Sequence, residues 1–157
     1  VQTCALPICE NINSIAHAHP MYGKTFSTLG KTLDPISQDS CAFYERTALF
    51  ADYDGVANGP DEGINIAKAL GDKDFVILQN HGILTTGTMV DTTIWYFLNM
   101  EDACKSQLLA EAVGKPIVIP HETACATRDY VANDLSAYVS FQPTVDVLWE
   151  EEPDLLD

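Results

Sequence analysis

Basic residues are scarce in this sequence. Eight Lys and Arg stand against 23 Asp and Glu, which gives a formal net charge of −15, and no basic cluster interrupts the acidic excess. A surface of this charge repels nucleic-acid phosphates and anionic lipid headgroups, so we expect neither nucleic acid nor a membrane as a partner. A small anionic substrate remains compatible with it, because a metal ion in a site can outweigh a distant negative field.

Long apolar runs and paired cysteines are lacking as well. No stretch approaches the roughly 18–20 apolar residues that a membrane-spanning helix needs, and no basic and apolar leader opens the chain. The five cysteines include no Cys-x-x-Cys pair and are odd in number, which argues against a disulfide framework. We therefore expect a cytoplasmic protein with reduced thiols.

The two ends of the chain differ in character from its middle. Residues 1–8 read VQTCALPI, which resembles the translation of a common sequencing adapter, and no initiator methionine precedes them. We therefore interpret 1–9 as a non-native leader. The rest is long enough for one compact domain, expected at 10–149, followed by a solvated acidic tail at 150–157.

The order of apolar residues predicts both strands and helices. Strands are expected at 13–19, 75–79 and 83–87, and helices at 21–29, 61–70, 91–112 and 127–139. Asp91 is a suitable N-cap for the long helix at 91–112, and Gly114 and Pro116 are expected to end this helix. Residues 40–49 are compatible with either helix or strand, whereas the Asp-Gly and Asn-Gly pairs within 52–59 indicate a loop.

Three of the four histidines fall at the ends of predicted strands. His17 and His19 are two residues apart in a strand and therefore share one face, about 6–7 Å apart. His81 follows the strand at 75–79, and Gly82 allows a sharp turn there. Neutral imidazoles suit zinc and similar divalent metals, and three protein ligands with an open position are typical of a catalytic site. Spacing alone also fits a packed pair of core histidines, and His121 is expected to be an exposed loop residue.

Several short segments together resemble the class II aldolase/adducin family. They are AHAHP at 16–20, GK at 30–31, PISQ at 35–38 and LQNHGIL at 78–84, and the resemblance runs from about 13 to 114. It implies that His17, His19 and His81 bind a divalent metal, usually Zn²⁺. It also implies an α/β fold, a three-layer α/β/α sandwich with a mainly antiparallel central sheet, here incomplete at the N-terminus, and assembly as a homotetramer.

The same resemblance implies a function. Members are metal-dependent aldolases or related epimerases and decarboxylases, so the intact parent is expected to be a lyase that acts on a small hydroxy or keto, sugar-like substrate through a metal-stabilised enediolate. In the family the general acid/base and a phosphate-binding loop precede the His-x-His strand. The catalytic acid/base is therefore expected upstream of residue 1, and the 157-residue chain by itself is expected to be inactive.

The sequence is also compatible with two other roles for this domain. A non-catalytic, adducin-like interaction module would keep the fold, although adducin-type heads lack the three histidines that this sequence retains. A purely structural metal site would need a fourth protein ligand, whereas the three histidines leave one position open.

Overall fold

The computed structural model describes residues 12–52 and 60–156. The proposed leader at 1–9 and nearly all of the predicted loop at 52–59 lie outside these residues. The described elements are, in chain order, β1 (Ser14–Ala18), α1 (Met21–Ser27), a first 3-10 helix (Ser40–Phe43), β2 (Thr47–Phe50), α2 (Pro60–Leu70), β3 (Phe75–Leu78), β4 (Gly82–Gly87), α3 (Val90–Val113), α4 (His121–Val131), α5 (Asp134–Glu151) and a second 3-10 helix (Pro153–Leu156).

The described strands form one sheet in the order β1-β4-β3-β2. The β1–β4 and β3–β4 pairs are antiparallel and the β2–β3 pair is parallel, which confirms the mainly antiparallel sheet. All four residues of β3 are buried. Because side chains alternate along a strand, Phe75 and Ile77 enter one core while Val76 and Leu78 enter the other.

Helices cover both faces of this sheet. On one face, Phe26 of α1, Met100 of α3 and Ala137 of α5 belong to the same buried cluster. On the other face, Ile66 and Leu70 of α2 pack with residues of β3 and β4. The result is the expected three-layer α/β/α arrangement, in which the sheet buries an apolar surface on each side.

Most elements lie within two residues of their predicted bounds. The long helix α3 begins as predicted within one residue, but its N-cap is Met89 and Asp91 lies in its first turn. The ambiguous residues 40–49 divide into the first 3-10 helix and the start of β2. Across 12–52 and 60–156, no helix has both the length and the apolar character that crossing a membrane requires.

The C-terminal third differs most from its prediction. The single short helix expected at 127–139 was wrong, because two helices, α4 and α5, occupy this part of the chain. They are separated at Asn133, whose side chain caps α5 by accepting a hydrogen bond from the Ser136 N–H at 2.9 Å. Helix α5 continues through Pro143 to Glu151, so the first residues of the acidic tail are helical rather than frayed.

Glu101 of α3 holds the start of α1, directly after the His-x-His segment. Its Oε1 accepts from the Tyr22 N–H at 2.8 Å and its Oε2 from the Gly23 N–H at 2.5 Å. No side-chain hydrogen bond caps α1 from its own N-cap, Pro20. The carboxylate therefore satisfies amide groups that the first helical turn leaves without partners, and its negative charge suits the helix N-terminus.

We expect Glu101→Ala to lower the free energy of unfolding by about 2 kcal/mol, since two partly buried amides lose a charged acceptor. Glu101→Gln keeps one acceptor oxygen and should cost less. Asp102→Ala is the matched control, because Asp102 is exposed on the same helix and should change stability by no more than about 0.5 kcal/mol. Urea unfolding of the three variants measures these differences, and equal losses at 101 and 102 would contradict the capping role.

Candidate metal centre

The sheet brings the three histidines of the two sequence segments together. His17 lies in β1, His19 just after it, and His81 in the turn between β3 and β4. Their ring centroids are 5.1 Å apart for 17 and 19, 5.0 Å for 17 and 81, and 4.5 Å for 19 and 81. Their nitrogen atoms offer a set of possible ligands within 4.8 Å of one another. Convergence follows from the antiparallel β1–β4 pairing, which sets Ala18 opposite Ile83.

A tight turn presents His81 to this cluster. Leu78 pairs with Gly82, so only three residues connect β3 to β4. The His81 N–H donates to the Leu78 carbonyl at 3.0 Å, and Asn80 adopts a φ of 58°, a left-handed conformation that asparagine tolerates better than most residues. The Asn80 N–H donates to the Ser27 carbonyl at 3.3 Å, which ties the turn to the end of α1.

Gly82 is required by the close approach of β1 to this turn. A Cβ atom at this position would lie 2.5 Å from the Ala18 carbonyl oxygen and 3.1 Å from Cδ2 of His19. The first of these contacts is with backbone and cannot be relieved by a side-chain rotation. Only glycine therefore allows the end of β1, directly before His19, and the turn carrying His81 to come this close.

Hydrogen bonding and burial prepare two of the imidazoles for metal binding. Nδ1 of His17 lies 2.9 Å from the Ile83 carbonyl oxygen. Since a carbonyl only accepts, Nδ1 carries the proton and Nε2 keeps its lone pair, an arrangement common in histidine ligands. Burial lowers the pKa of His17, and the hydrogen bond to Ile83 opposes this only in part. Burial, reinforced by the charges of its two neighbours, lowers the pKa of His81.

The donor set fits a divalent cation. Imidazoles with a pKa below the ordinary histidine value are neutral at physiological pH, which is the form that binds zinc and related metals. In the part of the chain that the structure describes, no Asp, Glu or Cys joins this group of three histidines. The three nitrogens therefore match an open, three-ligand site better than a closed structural one.

His121 was expected to be an exposed loop residue without a functional role, and the structure corrects its placement. His121 is the first residue of α4 and not part of a loop, although it is exposed as expected. With Glu45 and Cys125 it forms a second group of possible metal ligands. The signal that was missed is the spacing of His121 and Cys125, four residues apart, which places both side chains on one face of a helix.

The chain matches a known protein family over the segment that contains the three histidines. The family described as "Class II Aldolase and Adducin N-terminal domain" matches residues 8–108, which include all three histidines of the centre. L-fuculose 1-phosphate aldolase from Glaciozyma antarctica PI12 superposes with a TM-score of 0.87 at 36% identity, covering 96% of this chain and 57% of that one.

Two Streptomyces proteins are similar over nearly the whole chain. Decarboxylase NovR of Streptomyces niveus is 36% identical over 145 residues, which cover 92% of this chain and 54% of that protein. A protein of Streptomyces roseochromogenus subsp. oscitans, named 4-hydroxy-3-prenylphenylpyruvate oxygenase/4-hydroxy-3-prenylbenzoate synthase, is 35% identical, with coverages of 92% and 52%. The chain thus spans about half the length of these two curated relatives.

Proposed function

The chain belongs to the class II aldolase/adducin family, and on that premise we propose that the whole protein is a divalent-metal-dependent lyase of the class II aldolase type. The observation that carries this proposal is the convergence of three imidazoles, two of them with a lowered pKa, at the edge of a rigid sheet. The proposed substrate is a small hydroxy or keto compound.

In this proposal His17, His19 and His81 hold Zn²⁺ or a similar divalent cation. When bound, the cation would supply Lewis-acid stabilisation of the negative charge that develops on a substrate oxygen as a neighbouring bond breaks. The chain itself supplies the preorganisation of the ligands. The Ile83 carbonyl orients the His17 ring, and Glu101 fixes the helix that follows His19.

Cleavage of a carbon–carbon bond is the reaction class that we favour. Two similar proteins are named as an aldolase and as a decarboxylase. Both reactions break a bond to carbon and leave an electron pair that can delocalise onto an adjacent carbonyl oxygen. The three histidines that would hold the cation could therefore support either reaction without a change in the ligand set.

The alternative is an adducin-like interaction module that keeps the fold without catalysis. The three clustered histidines argue against it, because a non-catalytic module has no need of three closely spaced imidazoles, two of them partly buried, beside an obligatory glycine. A structural metal site is disfavoured because the described residues provide no fourth protein ligand to the group.

Assembly and location complete the proposal. We propose a homotetramer that acts in the cytoplasm on a small molecule, with neither nucleic acid nor a membrane as partner. The net charge of −15 supports the exclusion of anionic surfaces. The free and buried thiols of Cys41 and Cys104 are compatible with a reducing compartment.

Removing the metal from the whole protein with a chelator tests this function. We expect purified protein to contain a divalent cation, to release an aldehyde or carbon dioxide from hydroxy-keto or keto-acid test compounds, and to lose this activity on treatment with a chelator. Added Zn²⁺ or Mn²⁺ should restore the activity. A folded whole protein that neither binds a divalent cation at these histidines nor cleaves any test compound would support the interaction module instead.

A further inference from the structure

A second group of metal-ligating side chains shares no residue with the three-histidine centre. Glu45, His121 and Cys125, here called the α4 cluster, offer ligand atoms within 4.8 Å of one another. Glu45 Oε1 lies 3.7 Å from Nδ1 of His121. The Cys125 sulfur lies 3.8 Å from Glu45 Oε2 and 3.8 Å from each ring nitrogen of His121. The proposed lyase function uses none of these three residues.

Two rigid parts of the fold provide the ligands. His121 and Cys125 are four residues apart in α4 and therefore project from the same face. Between them, Ala124 is fully buried and holds this face of the helix against the body of the protein. Glu45 comes from the segment between the first 3-10 helix and β2, where it adopts a φ of 60°. The packing of α4 against the turn that carries Glu45 thus brings the three side chains together.

Neighbouring groups orient the imidazole and the carboxylate. The Tyr44 hydroxyl lies 3.1 Å from Nδ1 of His121, and in the tautomer whose Nδ1–H donates to it, the Nε2 lone pair is available. Arg128 donates to Glu45 Oε2 at 3.3 Å, which holds the carboxylate in place. Arg128 also donates to Asp129 at 2.9 Å. The two carboxylates balance the guanidinium charge, so no excess positive charge repels a cation here.

The spacing of the ligand atoms matches the requirement of one tetrahedral ion. Zinc lies about 2.3 Å from a thiolate and about 2.1 Å from an imidazole nitrogen or a carboxylate oxygen, so two ligands in tetrahedral geometry are roughly 3.4–3.6 Å apart. In the α4 cluster the Cys125 sulfur lies 3.8 Å from Nε2 of His121 and 3.8 Å from Glu45 Oε2, which is close to this spacing. A thiolate, an imidazole and a carboxylate are also a donor set that borderline-soft zinc accepts readily.

We propose that Glu45, His121 and Cys125 bind one divalent cation of the Zn²⁺ class, with the fourth position open to solvent. Binding removes the thiol proton of Cys125, which is released to solvent as the sulfur–metal bond forms. The bound ion joins the first turns of α4 to the segment that precedes β2. This second site is independent of the lyase centre and differs from it by containing a thiolate.

Titration with Co²⁺ distinguishes the two sites. A Co²⁺–thiolate bond gives a charge-transfer absorption in the near ultraviolet, whereas a site of three imidazoles does not. We expect this band to reach the intensity of one thiolate-bound Co²⁺ per chain under reducing conditions and to disappear on addition of Zn²⁺. It should be absent from Cys125→Ser, and His121→Ala and Glu45→Gln should each weaken binding at least about 10-fold.

Two controls isolate the α4 cluster. The double variant Cys4→Ser, Cys9→Ser should keep the band, since these thiols are not among the proposed ligands. His17→Ala should keep it as well, because it removes a ligand of the other centre only. Circular dichroism establishes that each variant is folded. The proposal is overturned if folded wild-type chain shows no thiolate band at saturating Co²⁺, or if the band persists unchanged in Cys125→Ser, and neither result would bear on the lyase function.

Discussion

Replacing His17 by alanine is expected to abolish tight metal binding at the three-histidine centre and to reduce turnover by the whole protein about 10³-fold. One of the three proposed ligands is lost, and with it the ring that the Ile83 carbonyl orients. The loss of metal affinity should exceed the roughly 10–100-fold that follows removal of a group that only supports a ligand. Metal content after dialysis against a competing chelator, together with steady-state rates, measures both effects.

A second histidine variant is the matched control for this experiment. His121→Ala also removes one imidazole, but from outside the centre, and a Cys125→Ser background removes the thiolate of the α4 cluster beforehand. In that background we expect His121→Ala to retain the cation of the three-histidine centre and its activity. Metal content that falls equally in both variants, or that survives in His17→Ala, would rule out the ligand assignment.

Replacing Gly82 by alanine is expected to damage the same centre without removing any of its proposed ligands. Its new Cβ would lie 2.5 Å from the Ala18 carbonyl oxygen, so the β1 backbone must move away from the β3–β4 turn. We expect a loss of about 1–3 kcal/mol in the free energy of unfolding, as for other overpacked sites. Metal affinity should fall roughly 10–100-fold, since His19 and His81 are displaced relative to one another.

Gly114 provides the control for this substitution. A Cβ there meets nothing within 4 Å, and its φ of 170° is extended backbone that alanine adopts without strain. Gly114→Ala should therefore leave metal affinity unchanged and stability unchanged or slightly raised. Urea unfolding and zinc titration compare the two variants. If alanine at 82 proves as harmless as alanine at 114, the close approach of β1 to the turn does not explain the glycine.

The local pattern of apolar residues was sufficient to predict the strands around the three-histidine centre. The continuous apolar run at 75–78 is a strand buried on both faces, as its sequence predicted, and β1 and β4 lie within one residue of their expected bounds. The family resemblance supplied the three-layer architecture, which periodicity alone did not establish. The predicted elements after residue 116 were wrong because Pro120 is the N-cap of a helix and Pro143 lies inside one, so the prolines did not mark breaks between elements.

The sequence by itself determined which residue types stand at the ends of the strands: two imidazoles two residues apart at the end of β1, and a third directly before Gly82 in the turn between β3 and β4. These follow from the two-residue repeat of a strand and from the conformational freedom of glycine, both of which are local. The tertiary structure alone decided that Glu101 reaches the amides of α1, 78 and 79 residues away in the chain. It also decided that Glu45 meets Cys125 across 80 residues. Such contacts depend on how the helices pack against the sheet, and no short-range pattern of side chains encodes that packing.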